Sequence, residues 1–193
     1  MMTRKLLLFL FLFAALRSGA QAPVSASFGA GYKSSFGTVG IFIMGVDLSD
    51  RITYQLGPAI NISCNGMGAT TGFKWAFIKA RKYSVSFNAD YQFLLSRNVS
   101  RLFGGDKHFS TYRTPDMHHV FAGASYTINM SSFVRNLKDD KLSVGVNYGF
   151  GLSNYEPLLV AGEPNEVTRR KVSRQISSGV GFSVTYTAYL FNN

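Results

Sequence analysis

Charge is scarce in this chain of 193 residues: Asp, Glu, Lys and Arg together make up only 16% of it. Cysteine is scarcer still. The one thiol, Cys64, can form neither an internal disulfide nor a cysteine-based metal cluster, and it reads as a half-buried residue at a strand end. Beyond residue 22 no stretch holds 18 consecutive apolar residues, which excludes a helical transmembrane span. There is no HExxH, no GxSxG and no glycine-rich phosphate loop. Acidic side chains number half the basic ones, for a formal charge of +10. Yet the basic residues neither cluster on a helix nor alternate with exposed aromatics, so nucleic acid is not an expected partner. What the chain does hold is Gly, Phe and Tyr, at 19, 17 and 10 residues, a composition suited to a β-rich protein with an apolar outer surface.

Residues 1–22 read MMTRKLLLFLFLFAALRSGAQA. Arg4 and Lys5 supply a positive start, an apolar run extends from Leu6 to Leu16, and Ser18-Gly19-Ala20 places small residues before a cut. These are the parts of a secretory signal peptide, with cleavage expected after Ala20 and Ala20-Gln21-Ala22 as a second candidate site. No cysteine lies near the cut, so no lipoprotein anchor is expected. Removal of Arg4, Lys5 and Arg17 leaves a charge of +7 on residues 21–193, compatible with anionic head groups at a membrane surface.

The clearest signal lies in residues 83–95, YSVSFNADYQFLL. Tyr83, Val85, Phe87, Ala89, Tyr91, Phe93 and Leu95 form one set, and Ser84, Ser86, Asn88, Asp90 and Gln92 the other. Successive side chains of a strand point to opposite faces, so this stretch has one apolar and one polar face. Its length matches the roughly 9–11 residues of a tilted strand crossing a bilayer. Similar alternation predicts strands over 24–32, 37–46, 52–63, 69–78, 119–130, 142–152 and about 173–191. The facing of 37–46 is left open, because Val39, Ile41 and Ile43 oppose Phe42 and Met44. Pro58, lacking a ladder donor, predicts a bulge or local kink. Eight strands result, with short connections at 47–51, 79–82 and 131–140 on one side and long loops at 96–118 and 153–172 on the other. The expected architecture is all-β, an eight-stranded antiparallel up-and-down transmembrane barrel over residues 21–193.

Soluble eight-stranded barrels share this strand count but fill their interiors with large apolar side chains and carry charge outside. Here the polar face is mostly Gly, Ser, Thr, Asn and Gln, and the other face is aromatic-rich. That outer face would aggregate in water and is at home in lipid. Tyr54, Trp75, Tyr83, Tyr91, Tyr126, Tyr148 and Tyr186 are candidates for interfacial aromatic girdles. The signal peptide, the eight amphipathic strands and the closing segment GVGFSVTYTAYLF resemble the small outer-membrane β-barrel proteins of Gram-negative bacteria, the OmpA/OmpX type. The resemblance covers the mature chain and implies residence in the outer membrane among its lipid and lipopolysaccharide. It also implies recognition by the barrel-assembly machinery through a C-terminal aromatic, for which Tyr189 and Phe191 are the matching positions, although Asn192 and Asn193 follow them.

Some barrels of this size are lipid A deacylases or palmitoyltransferases that use a histidine with a serine and an acid. His119 and Ser125 share a face but stand six residues apart, about 20 Å along a strand, and cannot form a dyad. The expected role is structural, adhesive or interaction-based, with no enzymatic activity, cofactor or metal site; a narrow pore and a lipid A-modifying enzyme are the alternatives. Eight strands leave a bore that side chains fill, so a wide channel is not expected either. Lys74 and Asp90 point inward from adjacent strands. If Lys74 stands opposite Asn88, Asp90 lies one diagonal step away, which predicts a lumenal ion pair. Arg97, Arg101, Lys107 and Arg113, with Phe103, Phe109 and Tyr112, make the loop at 96–118 a candidate contact for lipopolysaccharide or a protein partner, as does the loop at 153–172.

Overall fold

Period-two alternation becomes strand along most of the chain. The structure, a computed structural model, describes residues 22–34, 37–62, 66–103, 108–134, 140–152, 156–176 and 178–191. The expected signal peptide and Cys64 lie outside the described residues. In chain order the elements are β1 (Val24–Lys33), β2 (Gly37–Asp47), β3 (Ile52–Asn61), β4 (Gly66–Lys79), β5 (Tyr83–Leu94), β6 (Arg97–Phe103), β7 (His108–Thr114), β8 (Met117–Asn129), β9 (Lys141–Gly151), β10 (Leu158–Gly162), helix α1 (Glu166–Ile176) and β11 (Gly179–Phe191). Eight of the strands close into a barrel in the order β1-β11-β9-β8-β5-β4-β3-β2, every pair antiparallel. Pairing of β1 with β11 forms the seam. Closure leaves none of these eight strands with an unpaired edge.

The two faces divide as the alternation requires. Ser25, Ser27, Ser86, Ser125, Thr127 and Ser143 are buried in the lumen. The outer wall carries large apolar side chains in the open: Phe73 is 50% exposed, Trp75 51% and Phe182 56%. The facing of β2 is settled by its neighbours. Val39 and Ile41 pack with Phe121 inside, while Phe42 and Met44 stand on the exposed wall. Pro58 produces no bulge. The β2–β3 ladder is interrupted between Ile41↔Ala59 and Met44↔Leu56 without a change of register. Register shifts occur instead between Ala76 and Ile78 on β4 and between Val24 and Ser25 on β1.

The long connections depart from the expectation. The stretch 96–118 is mostly strand: β6 and β7 form a hairpin, and its last residues, Met117 and His118, already belong to β8. From the other connection β10 adds to β7, giving a second sheet in the order β10-β7-β6. The last barrel strand begins at Gly179, not near residue 173, because residues 166–176 are helical. Asn165 caps that helix by accepting a hydrogen bond from the Thr168 amide at 2.9 Å. Thr168 and Val172, four residues apart, share the buried face. Period-two alternation alone favours a strand from about residue 173. The cap and the i, i+4 pair outweigh it.

Candidate functional site

The lumen collects charge that the strands otherwise avoid. Lys74 stands opposite Asn88, and Asp90 opposite Gly72, one rung away. The Asp90 carboxylate occupies the space above the Gly72 Cα that a Cβ would fill, so this rung needs glycine. No direct ion pair joins Lys74 to Asp90. The Lys74 ammonium instead donates to Thr127 Oγ1 at 3.0 Å, and that hydroxyl is 2.8 Å from Ser143 Oγ. Asp90 interacts through space with two lysines, Lys33 as well as Lys74. Lys33 Nζ donates to Gln92 Oε1 at 3.3 Å and sits 3.3 Å from the centre of the Phe121 ring, a cation–π contact. In place of the expected pair stand two ammoniums, each held by polar or aromatic neighbours, and one carboxylate dispersed among them.

Near the end of the barrel where β11 finishes, a second group forms. Tyr189 Oη donates to Asp47 Oδ2 at 3.0 Å and accepts from Lys141 Nζ at 2.6 Å. Thr53 Oγ1 donates to the other Asp47 oxygen at 2.6 Å. One tyrosine therefore ties β11 to β2 and β9, and through Asp47 to β3. Tyr189 stands opposite Ser25, a lumenal position, and the register shift next to it sets Phe191 opposite Val24. Of the two residues matched to the assembly signal, Tyr189 accordingly faces the lumen in the closed barrel. The side chain of Phe191 lies outside the described residues.

Sequence reasoning missed Lys33, Asp47 and Lys141 as lumenal groups because all three lie just outside the strands drawn at 24–32, 37–46 and 142–152. The signal was present. Each continues the inward parity of its strand by one residue: Lys33 after Gly31, Asp47 after Gly45, Lys141 before Ser143.

The seven candidate girdle aromatics fall on the outer parity. Tyr54, Trp75, Tyr83, Tyr126 and Tyr186 lie toward the end with the short connections, and Tyr91 and Tyr148 toward the other. Tyr83 stacks on Tyr126 at 5.7 Å between ring centres, and Phe28 lies 5.2 Å from Tyr186. The histidines are dispersed. His119 is buried in the lumen beside Phe121, while His118 stands on the outer wall, its Nδ1 hydrogen-bonded with the Tyr91 hydroxyl. His108 meets Glu163 on the second sheet at 3.0 Å.

That sheet has one covered face. Arg97 pairs with Thr114 and Val99 with Tyr112, and Ser110, Tyr112 and Thr114 are buried. Tyr112 Oη donates to the Asn165 carbonyl and accepts from its amide, fixing the start of α1. Arg169 Nε and Arg170 Nε bond to Glu166 at 2.9 and 3.0 Å and hold its carboxyl below the usual range. Gly162, at φ 82°, turns the chain out of β10 toward the helix, and a Cβ there would meet the Phe109 carbonyl.

No protein-family model matches the chain, and comparison with curated proteins and with solved structures returned no significant match.

Proposed function

We propose that this chain is an integral outer-membrane β-barrel protein of the OmpA/OmpX type, with a structural, adhesive or interaction role and a lumen filled by side chains. The observation that carries the reading is the outer wall. A continuous surface of Phe, Tyr, Trp, Val and Ile stands exposed around a polar lumen, the reverse of a water-soluble barrel. In water such a wall far exceeds the apolar patch that a monomer tolerates; in a bilayer it faces hydrocarbon.

The exposed aromatics toward both ends suit the two head-group layers. With the short connections toward the periplasm, the second sheet and α1 project outward among lipopolysaccharide. Exposed Arg113 and Arg170 and half-buried Arg169 supply positive charge there for its anionic groups. A protein partner at the same end, engaging 96–118 and 153–172, fits an adhesive role. Export through the segment 1–20 and insertion by the barrel-assembly machinery complete the reading.

Cell fractionation with gel mobility compared before and after boiling tests it. Outer-membrane recovery and a heat-modifiable band are expected. A soluble periplasmic protein without the mobility shift would overturn it.

A further inference from the structure

We infer that the rim formed by the short connections binds anionic phospholipid head groups through Arg51, Lys79, Arg81 and Lys82. The inference rests on the reading of the barrel as membrane-spanning, and it names the lipid that one end prefers. Arg51 lies in the connection between β2 and β3, Lys79 closes β4, and Arg81 and Lys82 lead into β5; all four are exposed. Hydrogen bonds draw these connections together. The Ala76 amide donates to the Arg51 carbonyl at 2.7 Å, and Lys79 Nζ donates to the Asp50 carbonyl at 2.8 Å. Asn129, at the end of β8, donates through its side-chain amide to the Arg81 carbonyl at 2.6 Å. Its backbone amide donates to the Lys82 carbonyl at 2.9 Å. The four cations therefore stand along one continuous arc of the rim, from β2 across β3, β4 and β5 to β8.

Their charge is not neutralised locally. Among the described residues no carboxylate lies within ion-pair distance of any of the four. Asp47 faces the lumen, where Tyr189 and Thr53 donate to it. Asp50 and Asp140 remain on the rim, the latter bonded to the Tyr186 hydroxyl, so four cations less two carboxylates leave an excess of two positive charges. At the opposite end, by contrast, the Glu166 carboxylate bonds both Arg169 and Arg170. What lies beside the rim cations marks their occupant as lipid. Trp75 pairs with Ile52, the neighbour of Arg51, and stands on the outer wall 6.2 Å from the Phe77 ring. Leu48, Ile78 and Phe133 are exposed on or next to the same connections, Phe133 by 71%. Bulky apolar side chains among cations suit a head-group layer, where phosphate and hydrocarbon are both within reach. A soluble acidic partner would leave those side chains in water. Near an anionic membrane surface each Lys or Arg contributes roughly fivefold in affinity.

Trp75, the chain's sole tryptophan, reports on the lipid beside Arg51 and Lys79. The protein is purified in detergent and reconstituted in phosphatidylcholine vesicles that carry acyl-brominated phosphatidylglycerol or, separately, acyl-brominated phosphatidylcholine as quencher. The phosphatidylglycerol is expected to associate about threefold or more over phosphatidylcholine. Salt at about 1 M, which screens charges beyond about 3 Å, should remove most of that preference. Replacing Arg51, Lys79, Arg81 and Lys82 together by Gln should bring it to about one, whereas Arg51→Lys/Arg81→Lys should retain it. If the fourfold variant loses its heat-modifiable band, Arg51→Gln/Lys79→Gln serves, and should at least halve the preference. Arg113→Gln/Arg170→Gln, at the other end, should leave it unchanged. Equal quenching by the two lipids in the wild type overturns the inference, as does a preference that survives in the folded Gln variant. Absence of quenching by either lipid refutes the membrane reading itself, a result distinct from quenching without preference.

Discussion

Replacing Tyr189 with Phe removes one oxygen from the place where four strands are tied together. That oxygen donates to Asp47 Oδ2 at 3.0 Å and accepts from Lys141 Nζ at 2.6 Å. Both partners are charged, and a hydrogen bond to a charged group contributes about 1.5–3 kcal/mol. The full loss is not expected. Asp47 keeps its bond from Thr53, and the Lys141 ammonium stays 4.5 Å from the ring centre, where a phenylalanine still attracts it. The network is also only partly buried, so water repairs some of the damage. The net cost works out at about 2 kcal/mol, below the roughly 3–6 kcal/mol that two such bonds would give if both were lost in full. Urea unfolding in detergent measures it, followed by the fluorescence of Trp75, the chain's sole tryptophan. Tyr32→Phe is the matched control, since the Tyr32 side chain is exposed and its hydroxyl bonds to no described residue. Asp47→Asn combined with Tyr189→Phe should cost less than the sum of the two, because both act on one network. If Tyr189→Phe unfolds at the same urea concentration as Tyr32→Phe, the tyrosine does not tie the closing strand.

Three further outcomes follow from the same geometry. Gly72→Val should lower the unfolding free energy by about 1–3 kcal/mol, since its side chain must displace the Asp90 carboxylate and press on the Ala89 carbonyl; the urea series reads this directly. Asp90→Ala removes the lumenal carboxylate that Lys33 and Lys74 feel through space and should cost less than the roughly 3 kcal/mol of a broken buried ion pair, since no direct pair is lost; an unchanged midpoint would count against any coupling. Asn165→Ala removes the cap of α1 and should reduce amide-exchange protection of the helix by about 1 kcal/mol while leaving the barrel strands unaffected. Acid acts on the same helix. The folded Glu166 carboxyl lies below its usual range because Arg169 and Arg170 bond to it. Its contribution is therefore complete above the ordinary carboxylate pKa and is lost as pH falls through the lowered value. Protection at Arg169 should decline only in that acidic window.

Residues 83–95 show why so much of the barrel was legible without coordinates. A strand between lipid and a polar bore must alternate, and alternation is written residue by residue. Tyr83 through Phe93 outward, with Ser84 through Gln92 inward, needed no knowledge of neighbours. Even the register of Lys74 against Asn88 followed from the short turn between β4 and β5. The same local logic fails where both faces are alike. In β2, Ile41 and Ile43 are as apolar as Phe42 and Met44, and only Phe121 from a strand far along the chain decides which set goes inside. At 166–176 a period of two and a period of 3.6 compete over a few residues, and the winner depends on Asn165 held by Tyr112, 53 positions earlier.

By itself, then, the sequence determined the alternation, the number of barrel strands and the division between an apolar wall and a polar bore, because these depend on side chains one and two residues apart. The tertiary structure alone decided what stands inside. Lys74 reaches Thr127 rather than Asp90, Lys33 joins them over the Phe121 ring, and Tyr189 turns into the lumen to meet Asp47 across the seam. These contacts depend on how far one strand is staggered against strands it never touches in sequence. Only closure of the barrel fixes that stagger.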